Sequence, residues 1–274
     1  MIHRNAPSAR TTSLLCAMSL IAVPCFAGDQ PEPPHKAQGG SDVEVHYVFL
    51  KGVGSERILR QAAEQAVQMC RMTGGPVPKL PETFSRLESH VYYARQATIV
   101  YRRSWMYQVG TSCGQEGRWN FTEKADLHTP KGNCAIDFQL RRAQSATPGA
   151  CHPEESLGAA SEILPPGNTQ EEPIGTQTIA GRTCKAYRMR RGNVLTDRCS
   201  YAPKGFSPYR GDFGWSRPLG VNLLVHIYAS GHEQPEDALP YLTAEEVQEG
   251  IRVSRSVFLP HVTGGFKIME GGAK

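Results

Sequence analysis

Two cysteines, Cys184 and Cys199, place the tightest limit on what this chain can fold into. They flank one of two turn signals in the segment from Gly175 to Pro203. Ala180-Gly181 reads as a tight turn between two β-strands, and Arg191-Gly192 as the centre of a second hairpin. Folding symmetrically about Arg191-Gly192 sets Cys184 opposite Cys199, whether the loop has two residues or four. Cross-strand partners at non-hydrogen-bonded positions hold their Cβ atoms roughly 4.5–5.5 Å apart, close to disulfide reach. The sequence thus predicts a disulfide-stapled antiparallel hairpin.

A stable disulfide needs an oxidising compartment, and the start of the chain has the pattern of an export signal. Arg4 and Arg10 stand without any acidic neighbour, and an apolar run follows from Leu14 to Phe26. Cys25 and Ala27 are the small residues three and one before a cut. Residues 1–27 are therefore expected to be a signal peptide cleaved near Ala27, residues 28–42 a Pro/Gly-rich flexible leader, and 43–274 a single exported domain, periplasmic or secreted. The apolar run is shorter than the roughly 20 residues a membrane span needs. The Ala-Val-Pro before Cys25 is a poor match to a lipidation signal.

Cleavage changes the composition that matters. The full chain has 274 residues, eight cysteines and a formal charge of +4. Losing Arg4, Arg10, Cys16 and Cys25 leaves 28 basic and 26 acidic residues, a charge of +2, and six cysteines. So weak a charge argues against nucleic acid as a partner. Six cysteines imply three disulfides, with the pairing of Cys70, Cys113, Cys134 and Cys151 left open. No Cys-x-x-Cys pair occurs, which disfavours zinc or a redox thiol motif.

Val43–Leu50 alternates and is β-prone. Ser55 is placed to cap a helix over 56–72, with Ile58, Leu59, Ala62, Ala63, Ala66, Val67 and Cys70 on one stripe. Strands are expected at Thr98–Val109, Cys134–Arg142 and Val221–Tyr228. Residues 143–174 form a loop excursion pinned by Cys151. Thr243-Ala-Glu-Glu246 has the pattern of a capping box for a short helix ending at Gly250, and strands at Ile251–Leu259 and His261–Ile268 close the chain. The expected class is α+β: a mostly antiparallel, curved, half-barrel-like sheet with a few helices packed on one side.

Motifs for chemistry are weak. Lys51-Gly-Val-Gly-Ser55 lacks the Gly-Lys-Ser/Thr ending of a phosphate loop and reads as a β-to-α turn. His226, His232, Glu233, Glu236 and Asp237 cluster, but His226 and His232 have neither the strand nor the helix spacing of metal ligands, so no metal or other cofactor is expected. Cys151-His152 are adjacent and point apart as a thiol–imidazole pair. There is no Gly-x-Ser-x-Gly elbow or His-Glu-x-x-His helix to supply a catalytic group. Arg210-Gly211-Asp212 is a short match of the kind chance produces, and the sequon Asn120-Phe121-Thr122 is relevant only in a eukaryotic secretory pathway. Arg188, Arg190, Arg191 and Arg198 form a basic hairpin tip, which could bring the protein into peripheral contact with a membrane. Phe206, Tyr209, Phe213 and Trp215 lie within ten residues among glycines and prolines, the composition of an aromatic loop that forms the lip of a ligand pocket or a partner surface, or else a satellite cluster tucked against the sheet edge.

The stretch Gly175–Pro203 resembles a recurring segment of periplasmic proteins of the lipoprotein-carrier type. The resemblance rests on Gly175, Thr176, Thr178, Ile179, Gly181, Cys184, Tyr187, Tyr201, Ala202 and Pro203. It implies a curved antiparallel half-barrel closed by helices. The β-then-α start and the six cysteines depart from that pattern. The expected function is that of a non-enzymatic exported protein holding an apolar ligand or a lipoprotein-like partner in the sheet concavity. The alternative is an accessory factor of an envelope or secretion complex without a small-molecule pocket. A deep apolar cavity would mark the first and a flat exposed patch the second, and a filled core would count against the first.

Overall fold

Twelve strands join edge to edge into one open, curved sheet in the computed structural model, which describes residues 42–153, 157, 171–204 and 220–271. In chain order the elements are β1 (Asp42–Val53), α1 (Glu56–Met72), β2 (Ser85–Tyr93), β3 (Thr98–Gln108), β4 (Arg118–Thr129), β5 (Gly132–Asp137), β6 (Arg142–Ser145), β7 (Glu171–Ile179), β8 (Arg182–Arg191), β9 (Val194–Tyr201), β10 (Val221–Ala229), β11 (Tyr241–Ser254), α2 (Pro260–Thr263) and β12 (Lys267–Glu270). Across the sheet they run β12-β6-β5-β4-β3-β2-β1-β11-β10-β9-β8-β7. Every pairing is antiparallel except β12 on β6. The mostly antiparallel, curved sheet is as expected, and the structure is consistent with α+β, although mostly β describes it more closely because the described residues contain only one long helix.

Alternation along β1 explains why this sheet is covered on both sides. Val45 and Tyr47 pack into one cluster with Tyr92, Ile99, Leu127, Ile136 and Phe258. Val48 and Leu50, of opposite parity, join Val91, Tyr93, Leu223 and Leu242 in another. The second cluster draws together strands distant in the sheet order. The backbone N–H of Asn222 on β10 donates to the Tyr93 hydroxyl on β2 at 3.1 Å. Arg182 and Tyr201 reach back to the Glu249 carboxylate on β11 at 2.8 and 3.1 Å. The sheet therefore curls toward this face, and side chains fill the space between its central and C-terminal strands.

Helix α1 spans the residues its apolar stripe predicts, but Ser55 does not cap it. Ser55 adopts φ 57° with no side-chain capping bond. The Glu56 carboxylate instead accepts from the backbone N–H groups of Phe84 and Ser85 and from the Ser85 hydroxyl, at 2.8–3.0 Å. Ala63, Val67 and Cys70 are buried, whereas Ile58 is 60% exposed, so the stripe is narrower than the sequence implies. Lys51–Val53 still belongs to β1, and Gly54-Ser55 alone makes the β-to-α turn expected across Lys51–Ser55.

The six cysteines among the described residues all pair: Cys70–Cys113, Cys134–Cys151 and Cys184–Cys199. The last is the expected bond in a different register. Arg191 opposes Val194 and Ala186 opposes Cys199, so Gly192-Asn193 forms the loop and the cysteines meet on a diagonal, Cα atoms 5.4 Å apart, where the β8–β9 ladder ends. Gly192 takes φ 60°, matching the glycine-first pattern of two-residue II′ hairpins. That preference moves the turn one residue beyond the Arg191-Gly192 centre.

Three other expectations fail. The 243–250 segment is no helix but part of the fourteen-residue β11, which pairs with both β1 and β10. Gly250 terminates nothing. With φ 61° it occupies a β-bulge where Glu249 and Gly250 together oppose the single residue His46. The residues after Ser254 give a 3₁₀ turn at Arg255–Phe258, the short α2 and β12, not two strands. Cys134–Arg142 likewise breaks into β5, a turn and β6. In β11, pairing with β1 and β10 overrides local propensity.

On β10 and β11, His226 and Tyr241 are cross-strand partners with rings stacked 3.6 Å apart. Burial pushes the His226 imidazole down to about 4, partly opposed by Asp197. In the unfolded chain an imidazole takes its proton near pH 6.5. Below that value the unfolded state binds the extra proton first, so stability is lost as pH falls from about 6.5 to about 4, by roughly 3 kcal/mol. Denaturant unfolding at pH 7 and pH 4.5 should show this loss, and His226→Phe, which keeps the stack, should flatten it. An unchanged pH slope in the variant would contradict the assignment.

Candidate functional site

Residues of even number on β3 and β4 share the face that carries Val100 of the second core cluster. Further along the sheet this face stops being apolar. The rows read Thr98–His128–Asn133, then Val100–Asp126–Ala135–Gln144–Met269, then Arg102–Lys124–Asp137–Arg142–Lys267. Two adjoining clefts follow these rows. The larger, about 660 Å³, is lined by residues including Asp126, His128, Asn133, Gln144, Ser145 and Glu270. The smaller, about 380 Å³, is lined by residues including Arg102, Ser104, Thr122, Lys124, Asp137 and Arg142. They share Asp126, Ala135 and Gln144 and form one polar trough.

Charge in the trough is largely internally matched. Arg102 pairs with Asp126, and Lys124 lies 3.6 Å from Asp137. The His128 ring nitrogen Nδ1 is 2.9 Å from the Asn133 side-chain oxygen. Arg142 is exposed and makes no ion pair among the described residues. A trough of this kind offers hydrogen bonds and balanced charge to a polar ligand, and little apolar surface to a lipid chain.

The floor at the β12 end is held by Cys151. Its disulfide to Cys134 is fully buried. Its backbone N–H and that of Gly149 donate to the Glu270 carboxylate at 3.0 and 2.8 Å, and its carbonyl lies 2.6 Å from Nε2 of the buried His261. Cys151 thus pins the chain after β6, as expected, and also locks β12 beside it. His152, its neighbour, takes no part in a thiol–imidazole pair because the thiol is consumed.

The other sequence candidates scatter. Phe206, Tyr209, Phe213, Trp215 and the Arg210-Gly211-Asp212 match lie outside the described residues. His232 Nδ1 meets Arg57 at 3.1 Å, Asp237 pairs with Arg57, and Glu233 with Arg188. Among the described residues no three His, Cys, Asp or Glu side chains gather as a metal site. The basic hairpin is half neutralised: Arg188 grips Asp197 through two hydrogen bonds and Arg198 pairs with Glu171, whereas Arg190 and Arg191 at the tip are exposed and make no ion pair among the described residues. No described helix is long and apolar enough to cross a membrane.

Sequence inspection did not single out the trough. Its trace is the period-two pattern of β4, where Asn120, Thr122, Lys124, Asp126 and His128 alternate with Trp119, Phe121, Ala125 and Leu127. No family model matches the chain, and no curated protein matches it.

Backbone N–H donation from Gly149, reinforced by Cys151, holds the Glu270 carboxyl below the usual carboxylate range. Its contribution is present above the unfolded value near pH 4.3 and is lost as pH falls through the lower folded value. Glu270→Gln should therefore lower the melting temperature at pH 7 and make little difference near pH 2.5. An equal deficit at both pH values would show that the carboxylate charge is not what holds the loop.

Proposed function

We propose that this is an exported, non-enzymatic accessory protein that binds a polar partner, such as a segment of an envelope protein, along the trough on β3–β6 and β12. The observation that carries this reading is the contrast between the two halves of the curved face. Val48, Leu50, Val91 and Tyr93 are fully buried against the C-terminal strands, so the apolar half is occupied by the protein's own side chains. The open half is lined by Asp126, His128, Asn133, Gln144 and Glu270. An apolar carrier needs the reverse arrangement, an empty apolar interior. Three disulfides and the expected signal peptide at 1–27 support export to the periplasm or beyond.

Native mass spectrometry of the mature protein purified from its exporting host tests this directly. The expected spectrum contains the bare protein mass, with no lipid adduct. A stoichiometric lipid that survives purification would overturn the accessory-protein reading in favour of a carrier.

A further inference from the structure

β4 is longer than its neighbour. β5 pairs only with Lys124–Thr129, and among the described residues no strand pairs with Arg118–Thr122 on that side. The Glu123 carbonyl accepts from the Phe138 backbone N–H at 3.3 Å, so the backbone groups of odd-numbered residues point toward this open side. The next of these, the Phe121 carbonyl, accepts from the side-chain amide of Gln139. A side-chain amide thus stands where a strand's backbone N–H would be. Trp119 and Phe121 are 45% and 37% exposed.

The two faces of this edge differ in chemistry. On one, Phe121 pairs with Trp105 at 5.0 Å, with Arg86 over the Trp105 ring, and Trp119 meets Tyr107 at 5.6 Å. On the other lies the smaller cleft, with Arg102, Lys124 and Arg142 against Asp126 and Asp137. Its excess is positive, and Arg142 makes no ion pair among the described residues. The Cys70–Cys113 disulfide ties the loop preceding β4 to α1, which holds the edge in place before any partner arrives.

From these features we infer that the open edge at Arg118–Thr122 receives an extended peptide as an added antiparallel or parallel strand. Its side chains alternate: apolar ones lie on Trp119 and Phe121, and acidic ones point into the cleft at Arg142. Main-chain hydrogen bonds provide the register and alternate side chains the selectivity. This assignment rests on the reading of the trough as a partner site and names the form the partner takes there.

The probe is acetyl-Val-Glu-Val-Glu-Val-Glu-amide, titrated into the whole mature protein and followed by backbone NMR. Saturable shifts at Arg118–Thr122 are expected, with affinity falling about ten-fold or more in Trp119→Ala, in Arg142→Glu, and for a Val-Lys counterpart. Both substituted residues are exposed, so the fold should survive. Two isomeric probes, N-methylated on alternate amides, give the sharper result: one isomer should lose binding and the other keep it. Equal behaviour of the two isomers, or no binding up to about 1 mM, overturns strand addition. So does a dimer abolished by Trp119→Ala, which would make the occupant a second copy. Shifts confined to Asp126, His128 and Asn133 and indifferent to N-methylation would overturn strand addition while leaving the polar trough as the partner site.

Discussion

The rest of the structure depends on bending one open sheet of twelve strands far enough to bury its own apolar face. A flat sheet of this width would expose Val48, Leu50, Val91 and Tyr93 to water. Extra residues in β11, at Glu245 and at Glu249-Gly250, loosen its pairing with β1, and further irregularities fall between Asn222 and Leu224 and between Pro173 and Gly175. Each bulge adds local bend and twist. Together they bring Asn222 to Tyr93 and Glu249 to Arg182 and Tyr201. The bend stops before β4–β6 and β12, where nothing described closes over the same face, and there the side chains turn polar.

An open sheet also has edges, and this one treats them unequally. β7 begins Glu171-Glu172-Pro173 and carries a bulge, features that discourage a foreign strand. β12 is four residues long and is tied to the Cys151 loop through Glu270. The unpaired stretch of β4 has neither proline nor bulge and exposes two large aromatic rings. Exposed, aromatic and β-prone backbone is costly to leave unprotected in a protein that must remain dispersed. A partner that covers it gives a physical reason for its persistence.

Local signals in the sequence succeeded where the determining contacts are also local. The 56–72 helix follows from one stripe and one glycine-proline stop, and the Cys184–Cys199 bond from a turn and a spacing. The hairpin register was missed by one residue in the turn, because the glycine's place in the loop, not its mere presence, sets the centre. β11 defeated the same approach. Thr243-Ala-Glu-Glu246 carries a helix-start pattern, but pairing on both sides with β1 and β10 outweighs it. The trough was illegible for a related reason: Asp126, Gln144 and Glu270 meet only through three strand pairings, one of them the parallel β6–β12 contact made after a long detour in the chain. Polar residues at alternate positions mark one strand's face, but not which strands will stand beside it.

Amide hydrogen exchange on the free mature protein bears most directly on the central claim, that the protein buries its apolar interior and leaves the β4 edge open for a partner. Fast exchange is expected at Trp119 and Phe121, and slow exchange at Val91 and Val100, which are buried within the ladder elsewhere in the same sheet. Strong protection at Trp119 and Phe121 in the absence of any partner would contradict it, because the edge would then already be covered by the protein itself.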